Sequence, residues 1–128
     1  MTELTGQLQP DGVRIAIAAA RYNDVVTSRL LSGALSELER LGVKSTAVTL
    51  ARVPGCFELP LAALKLAANH DAVICLGALV RGETPHFEFI AAETARGIGE
   101  VGLTTGVRLP GPETVTSFVM TVSAPSRT

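Results

Sequence analysis

The sequence predicts an α/β protein with helices on both faces of a parallel, doubly wound sheet, and three observations predict it. Two runs, 13–20 (VRIAIAAA) and 71–80 (DAVICLGALV), are apolar without alternation, the pattern of strands covered on both faces. A short β-branched run, 45–50 (STAVTL), lies between them. Each run is followed by residues at helical spacing, and three such alternations imply right-handed crossovers.

Strand one spans 13–20. Helix one starts at Asn23 or Asp24, either of which carries a capping side chain. Leu31, Ala34, Leu35, Leu38 and Leu41 follow at helical spacing, with Glu37, Glu39 and Arg40 between them and Gly42 as the stop. Strand two covers 45–50 and leads through the loop ARVPGC to a helix over 57–69. Pro60 fits that helix's first turn, where no intrahelical donor is lost. Strand three covers 71–80, and the turn RGETPH opens a helix over about 87–101 bearing Phe87, Ile90, Ala91, Ala95 and Ile98.

Beyond Gly106 the alternation stops. Pro110 and Pro112 are incompatible with a central strand, 114–122 (TVTSFVMTV) reads as a strand, and SAPSRT reads as a tail. No closing helix follows. Apolar surface is therefore expected to stay uncovered on the side of helix one, around Leu31, Leu35 and Leu38.

A chain of 128 residues fits one domain, 1–128, with 1–11 a flexible N-terminus and 107–128 a divergent tail. With 11 Lys and Arg against 12 Asp and Glu, the net charge of −1 argues against a nucleic-acid-binding surface. The 47% hydrophobic content argues against disorder. Mean hydropathy is +0.36, yet no apolar run reaches the ~18 residues of a membrane helix, so the excess apolar surface is expected to meet other protein. Cys56 and Cys75 lie in apolar settings without CxxC or Cys/His spacing, which fits a reducing, cytoplasmic location and no metal site. The polar opening MTELTGQLQPDG is unlike a targeting peptide.

Doubly wound sheets bind ligands at the carboxyl ends of their strands, here the loops AARYND, ARVPGCFE and LVRGETPH. Tyr22 is the only tyrosine in a chain without tryptophan, and beside Asn23 it offers a seat for a flat heterocycle. The same ring could simply staple the helix start. In the second loop, Pro54, Gly55, Cys56, Phe57 and Glu58 lie where a strand runs into a helix with free backbone N–H groups. Glu58 gains from the helix dipole there with or without a ligand. The third loop sets Arg81, Gly82, Glu83, Thr84 and His86 before a helix, a position suited to an anion such as phosphate. His86 can move protons near neutral pH, whereas His70 reads as a surface residue at a helix end. The nucleotide motifs GxGxxG and GxxxxGK[ST] are absent.

Taken together, RYND (21–24) with LLSGAL behind it, VPGCFELP (53–60), DAVICLGALVRGETPHFEFI (71–90) and ETARGI (93–98) resemble the lumazine synthase family over about residues 12–106. The resemblance implies a flavodoxin-like three-layer α/β/α sandwich. It also implies a transferase of riboflavin biosynthesis that condenses 5-amino-6-(D-ribitylamino)uracil with 3,4-dihydroxy-2-butanone 4-phosphate, without metal or organic cofactor. By that likeness Tyr22 stacks on the pyrimidine, with Asn23 beside it. Cys56, Phe57 and Glu58 meet the uracil and ribityl groups, with Cys56 replacing a small residue. The backbone of Ala78, Leu79 and Val80 reads the heterocycle, Glu83 and Thr84 receive the phosphate, and His86 transfers protons. The resemblance further implies a homo-oligomer, a pentamer or a shell of pentamers, with each site at a subunit interface.

The family pattern continues with a phenylalanine-glycine strand, a phosphate-binding arginine and a lysine-glycine motif on a long last helix, all serving the neighbouring subunit's site. This chain has only Lys44 and Lys65, and its Phe118 and Arg127 lie in no matching motif. Natural divergence, a frame change, or a catalytically impaired ligand-binding or shell-forming protein each account for such a tail.

Overall fold

β1 (Ile15–Ala20) is buried along its whole length because it is the middle strand of the sheet and both of its faces are covered. This is seen in a computed structural model that describes residues 1–4, 12–79 and 86–108. The order is β1, α1 (Asp24–Arg40), β2 (Val48–Val53), α2 (Leu59–Ala67), β3 (Ala72–Leu76) and α3 (Phe87–Arg108). The sheet order is β2-β1-β3, with every pair parallel. Ile15 pairs with Val48 on one side and Ala72 on the other, so the three carboxyl ends finish at one edge.

Alternation along β1 builds two cores. Ala16, Ala18 and Ala20 face a cluster with Leu59 and Ala63 of α2 and Phe87, Ile98 and Val101 of α3. Ile17 and Ala19 face the other way, onto Leu31 of α1 and Leu76 of β3. The result is the expected three-layer α/β/α arrangement, α1 on one face and α2 with α3 on the other. Small residues on β1 let the helices sit close, and α2 and α3 also meet closely. A Cβ on Gly97 would lie 2.8 Å from Pro60 Cγ.

Several expected boundaries move. Ser45–Ala47 form a 3-10 turn and β2 runs from Val48 to Val53, absorbing half of the loop predicted after it. As an edge strand β2 exposes Thr49, Leu50 and Arg52, so no uninterrupted apolar run marks it. A second 3-10 turn, Cys56–Glu58, precedes α2, and Pro60 lies in the first turn of α2 as expected. β3 stops at Leu76 rather than at 80, and α3 continues to Arg108, past Gly97, Gly99 and Gly106. Gly42 ends α1 in the left-handed region, φ 93°, with Val43 N donating to Leu38 O and Gly42 N to Glu39 O.

Leu31, expected to be uncovered, is buried, whereas Leu35 and Leu38 of the same expected face border open apolar surface beside β2. A groove of 670 Å³ is lined there by Leu35, Leu38, Val43, Val48 and Leu50. Val80, Arg81, Glu83 and Thr84, the strand expected over 114–122 and the segment 5–11 lie outside the described residues. Among the described residues no helix is long and apolar enough to cross a membrane.

Candidate active site

Hydrogen bonds at the carboxyl edge tie loop one to loop two and to the end of β3. Loop one continues the β1–β2 ladder past the strand ends: Arg21 N donates to Val53 O at 2.8 Å and Tyr22 N to Pro54 O at 3.0 Å. This fixes the Tyr22 backbone against loop two and leaves the residue 56% exposed, open to a stacking partner.

Asn23 occupies the N-cap position of α1, but its side chain does not cap the helix. It sits in the left-handed region, φ 63° and ψ 48°, a conformation asparagine tolerates better than most residues. Its backbone carbonyl receives Val26 N and Thr27 N, each at 3.1 Å, and Thr27 Oγ1. Its side-chain Nδ2 donates instead to Ala78 O at 2.9 Å, across to the end of β3.

Loop two meets the same peptide. Cys56 is buried, and its thiol belongs to the core beneath the site. Burial pushes its pKa up to about 11, opposed by a hydrogen bond from the Ala78 backbone and helped by the Glu58 charge. A Cβ on Gly77 would lie 2.5 Å from Cys56 Sγ, so glycine is required for loops two and three to touch. The Cys56 carbonyl is held from the other side by Thr94 Oγ1 of α3, at 3.3 Å. Thr94 is completely buried, and nothing in the linear pattern singles it out within ETARGI.

Glu58 is exposed, and its Oε1 accepts the Gly55 N–H at 2.8 Å. The capping role is thus realised, and among the described residues the second carboxylate oxygen accepts no hydrogen bond. Phe57 stacks on Phe89 of α3, ring centroids 6.4 Å apart and planes at 25°. That contact sets the first turn of α3 beside loop two. His86, immediately before α3, gives its backbone carbonyl to Ile90 N. It opens the helix whose first turn, through Phe89, stacks on loop two. Ala78 and Leu79 are buried at the end of β3. His70 lies elsewhere, at the end of α2, where its Nδ1 donates to Leu66 O at 2.8 Å and its Nε2 meets Thr49 Oγ1. A carbonyl can only accept, so Nδ1 carries the proton, and the helix-end reading holds.

Residues 12–121 match the 6,7-dimethyl-8-ribityllumazine synthase family. The chain belongs to this family. Among its relatives is the 6,7-dimethyl-8-ribityllumazine synthase of Syntrophus aciditrophicus (strain SB). It is 50% identical over 108 residues, which cover 83% of this chain and 70% of that protein. The family match runs on past Gly106, where the resemblance by motifs ends. The lumazine synthase stretches 21–24 and 53–60 and the residues 77–79 of 71–90 meet at the carboxyl edge of the sheet.

Proposed function

We propose that this chain is a 6,7-dimethyl-8-ribityllumazine synthase, condensing 5-amino-6-(D-ribitylamino)uracil with 3,4-dihydroxy-2-butanone 4-phosphate in the penultimate step of riboflavin biosynthesis. The observation that carries this reading is the meeting of the first two family loops on the peptide of Ala78, just past the end of β3, where the third family motif continues.

The pyrimidine stacks on the exposed ring of Tyr22, with Asn23, Phe57, the free oxygen of Glu58 and the backbone of Ala78, Leu79 and Val80 around it. Cys56 contributes its backbone, its thiol being in the core. Glu83 and Thr84 receive the phosphate ahead of α3, whose N-terminal dipole favours an anion. The substrate amine attacks the ketone, water leaves as the imine forms, phosphate departs, and ring closure with loss of a second water gives the lumazine. Holding both substrates in register makes a bimolecular step effectively unimolecular. His86 moves protons during carbinolamine dehydration and phosphate departure. The reaction requires no cofactor.

The working unit in this reading is a homo-oligomer, a pentamer or a shell of pentamers, within the cytoplasm. Exposed Phe57, Leu61, Phe89 and Leu103 on the α2–α3 side supply apolar surface for subunit contacts, and both cysteines are free thiols. Mixing the two substrates with purified protein tests the activity. Lumazine absorbance should appear with release of one phosphate per product, and its absence at saturating substrates would refute the enzyme reading.

A further inference from the structure

Asn23 is the one non-glycine residue with positive φ among the described residues. A left-handed non-glycine backbone costs on the order of 1 kcal/mol, and glycine would adopt it more cheaply. What the side chain adds is the hydrogen bond to Ala78 O, between positions 55 residues apart in the chain. No side-chain capping bond competes for it. Asn23 is also adjacent to Tyr22, whose backbone is already fixed to Pro54 O. The amide therefore links the loop that bears the aromatic ring to the strand end beside which the ring must be held. On its other side, the Ala78 peptide is bounded by Cys56.

We propose that Asn23 is a positioning residue whose carboxamide clasps the Ala78 carbonyl, setting the spacing between the Tyr22 ring and the end of β3 before any ligand arrives. Its kinetic consequence rests on the proposed synthase reading; its effect on the empty site does not. Pre-setting the slot removes an ordering cost from pyrimidine binding. A hydrogen bond of this kind is worth ~0.5–1.5 kcal/mol, equivalent to about 2- to 10-fold in affinity. The phosphate-bearing ketone, bound at the third loop, should hardly register its loss.

The chain contains its own probe, since Tyr22 is the sole tyrosine and there is no tryptophan. Two variants isolate the clasp. Asn23→Gly keeps the left-handed backbone without a donor, and Asn23→Asp puts an oxygen where the donor was. In ligand-free protein, both should enlarge the fast component of the Tyr22 fluorescence anisotropy decay while Tm for Asn23→Gly stays within a few degrees. In turnover, KM for the pyrimidine should rise about 2- to 10-fold and KM for the ketone stay within about twofold. An unchanged Tyr22 decay, whatever happens to KM, would overturn the proposal, and with a raised pyrimidine KM would make Asn23 a direct ligand contact. Both KM values rising together with a collapsed Tm would overturn it in favour of a general folding role. An inactive wild-type protein would refute the synthase reading alone, and the fluorescence comparison would still decide the clasp.

Discussion

The contact between Gly77 and Cys56 should appear as a coupling energy between two substitutions. Gly77→Ala places a methyl 2.5 Å from Cys56 Sγ, 3.1 Å from Leu59 Cδ1 and 3.6 Å from Ala20 Cβ. Non-bonded carbon contacts are comfortable at ~3.5–4.0 Å, so the sulfur overlap is on the order of 1 Å. Cys56 and Leu59 are both buried and cannot swing away into solvent. Overpacking of this kind costs ~1–3 kcal/mol, and the severity of the overlap puts Gly77→Ala toward the upper end. Cys56→Ala alone removes a small buried group and should cost ~1 kcal/mol. In the double variant the new methyl occupies the space the sulfur left, and only the Leu59 contact stays tight. The double variant should therefore be more stable than the sum of the two single effects by ~1–2 kcal/mol. Guanidinium unfolding at one protomer concentration, comparing midpoints at constant m, measures the cycle. Additivity within ~0.3 kcal/mol would refute the reasoning, because it would mean that the two groups do not share that space.

Thr94→Val should cost ~0.5–1.5 kcal/mol and speed amide exchange around Cys56, since it removes one of two donors to the Cys56 carbonyl and leaves only Leu59 N; protection unchanged at Cys56–Glu58 would count against the tether. Burial raises the thiol pKa from 9.0 to about 11 at Cys56 and about 12 at Cys75, so between pH 9 and 12 the unfolded chain gives up thiol protons that the fold retains. Stability should thus be complete below pH 9 and fall by a few kcal/mol toward pH 12, because each tenfold difference in proton affinity between the folded and unfolded chain is worth ~1.4 kcal/mol; denaturation midpoints that stay level over this range in a Cys56→Ala/Cys75→Ala variant would confirm the source. Gly33, within α1, has nothing within 4 Å of a Cβ position, and Gly33→Ala should raise unfolding free energy by ~0.5–1 kcal/mol in the same assay. His86→Ala should lower kcat by on the order of 10²-fold or more with little change in KM, and the reverse pattern would make His86 a binding group.

Burial on both faces makes β1 and β3 legible, because a strand enclosed by helices must be apolar at every position. β2 is displaced from its expected place because an edge strand tolerates Arg52 and Thr49, so its ladder leaves little trace in composition. The end of α3 is hidden by Gly97 and Gly99. Helix-breaking propensity argues for an early stop, whereas Gly97 is where α3 comes up against Pro60. At the site, Tyr22, Glu58 and His86 are visible as chemistry on loops. The fixing contacts are not visible, because Asn23 to Ala78 and Thr94 to Cys56 join residues distant in sequence through ordinary polar groups. The neighbours of Cys56 in the motif assign it to the ligand, and only three-dimensional packing shows its thiol in the core.

The central position of β1 has a consequence for the birth of the molecule on the ribosome. Both hydrogen-bonding partners of β1 lie downstream of it, and neither is a hairpin neighbour. At ~5–20 residues per second, the segment IAIAAA spends roughly seconds outside the tunnel before the last residue of β2 has emerged after it, and longer before β3 completes its other side. During that interval the most completely buried strand of the fold has bare backbone on two edges and no local contact to satisfy them. Yield in a cell should therefore respond to chaperone supply and to the translation rate between codons 20 and 76 more than to the stability of the finished protein.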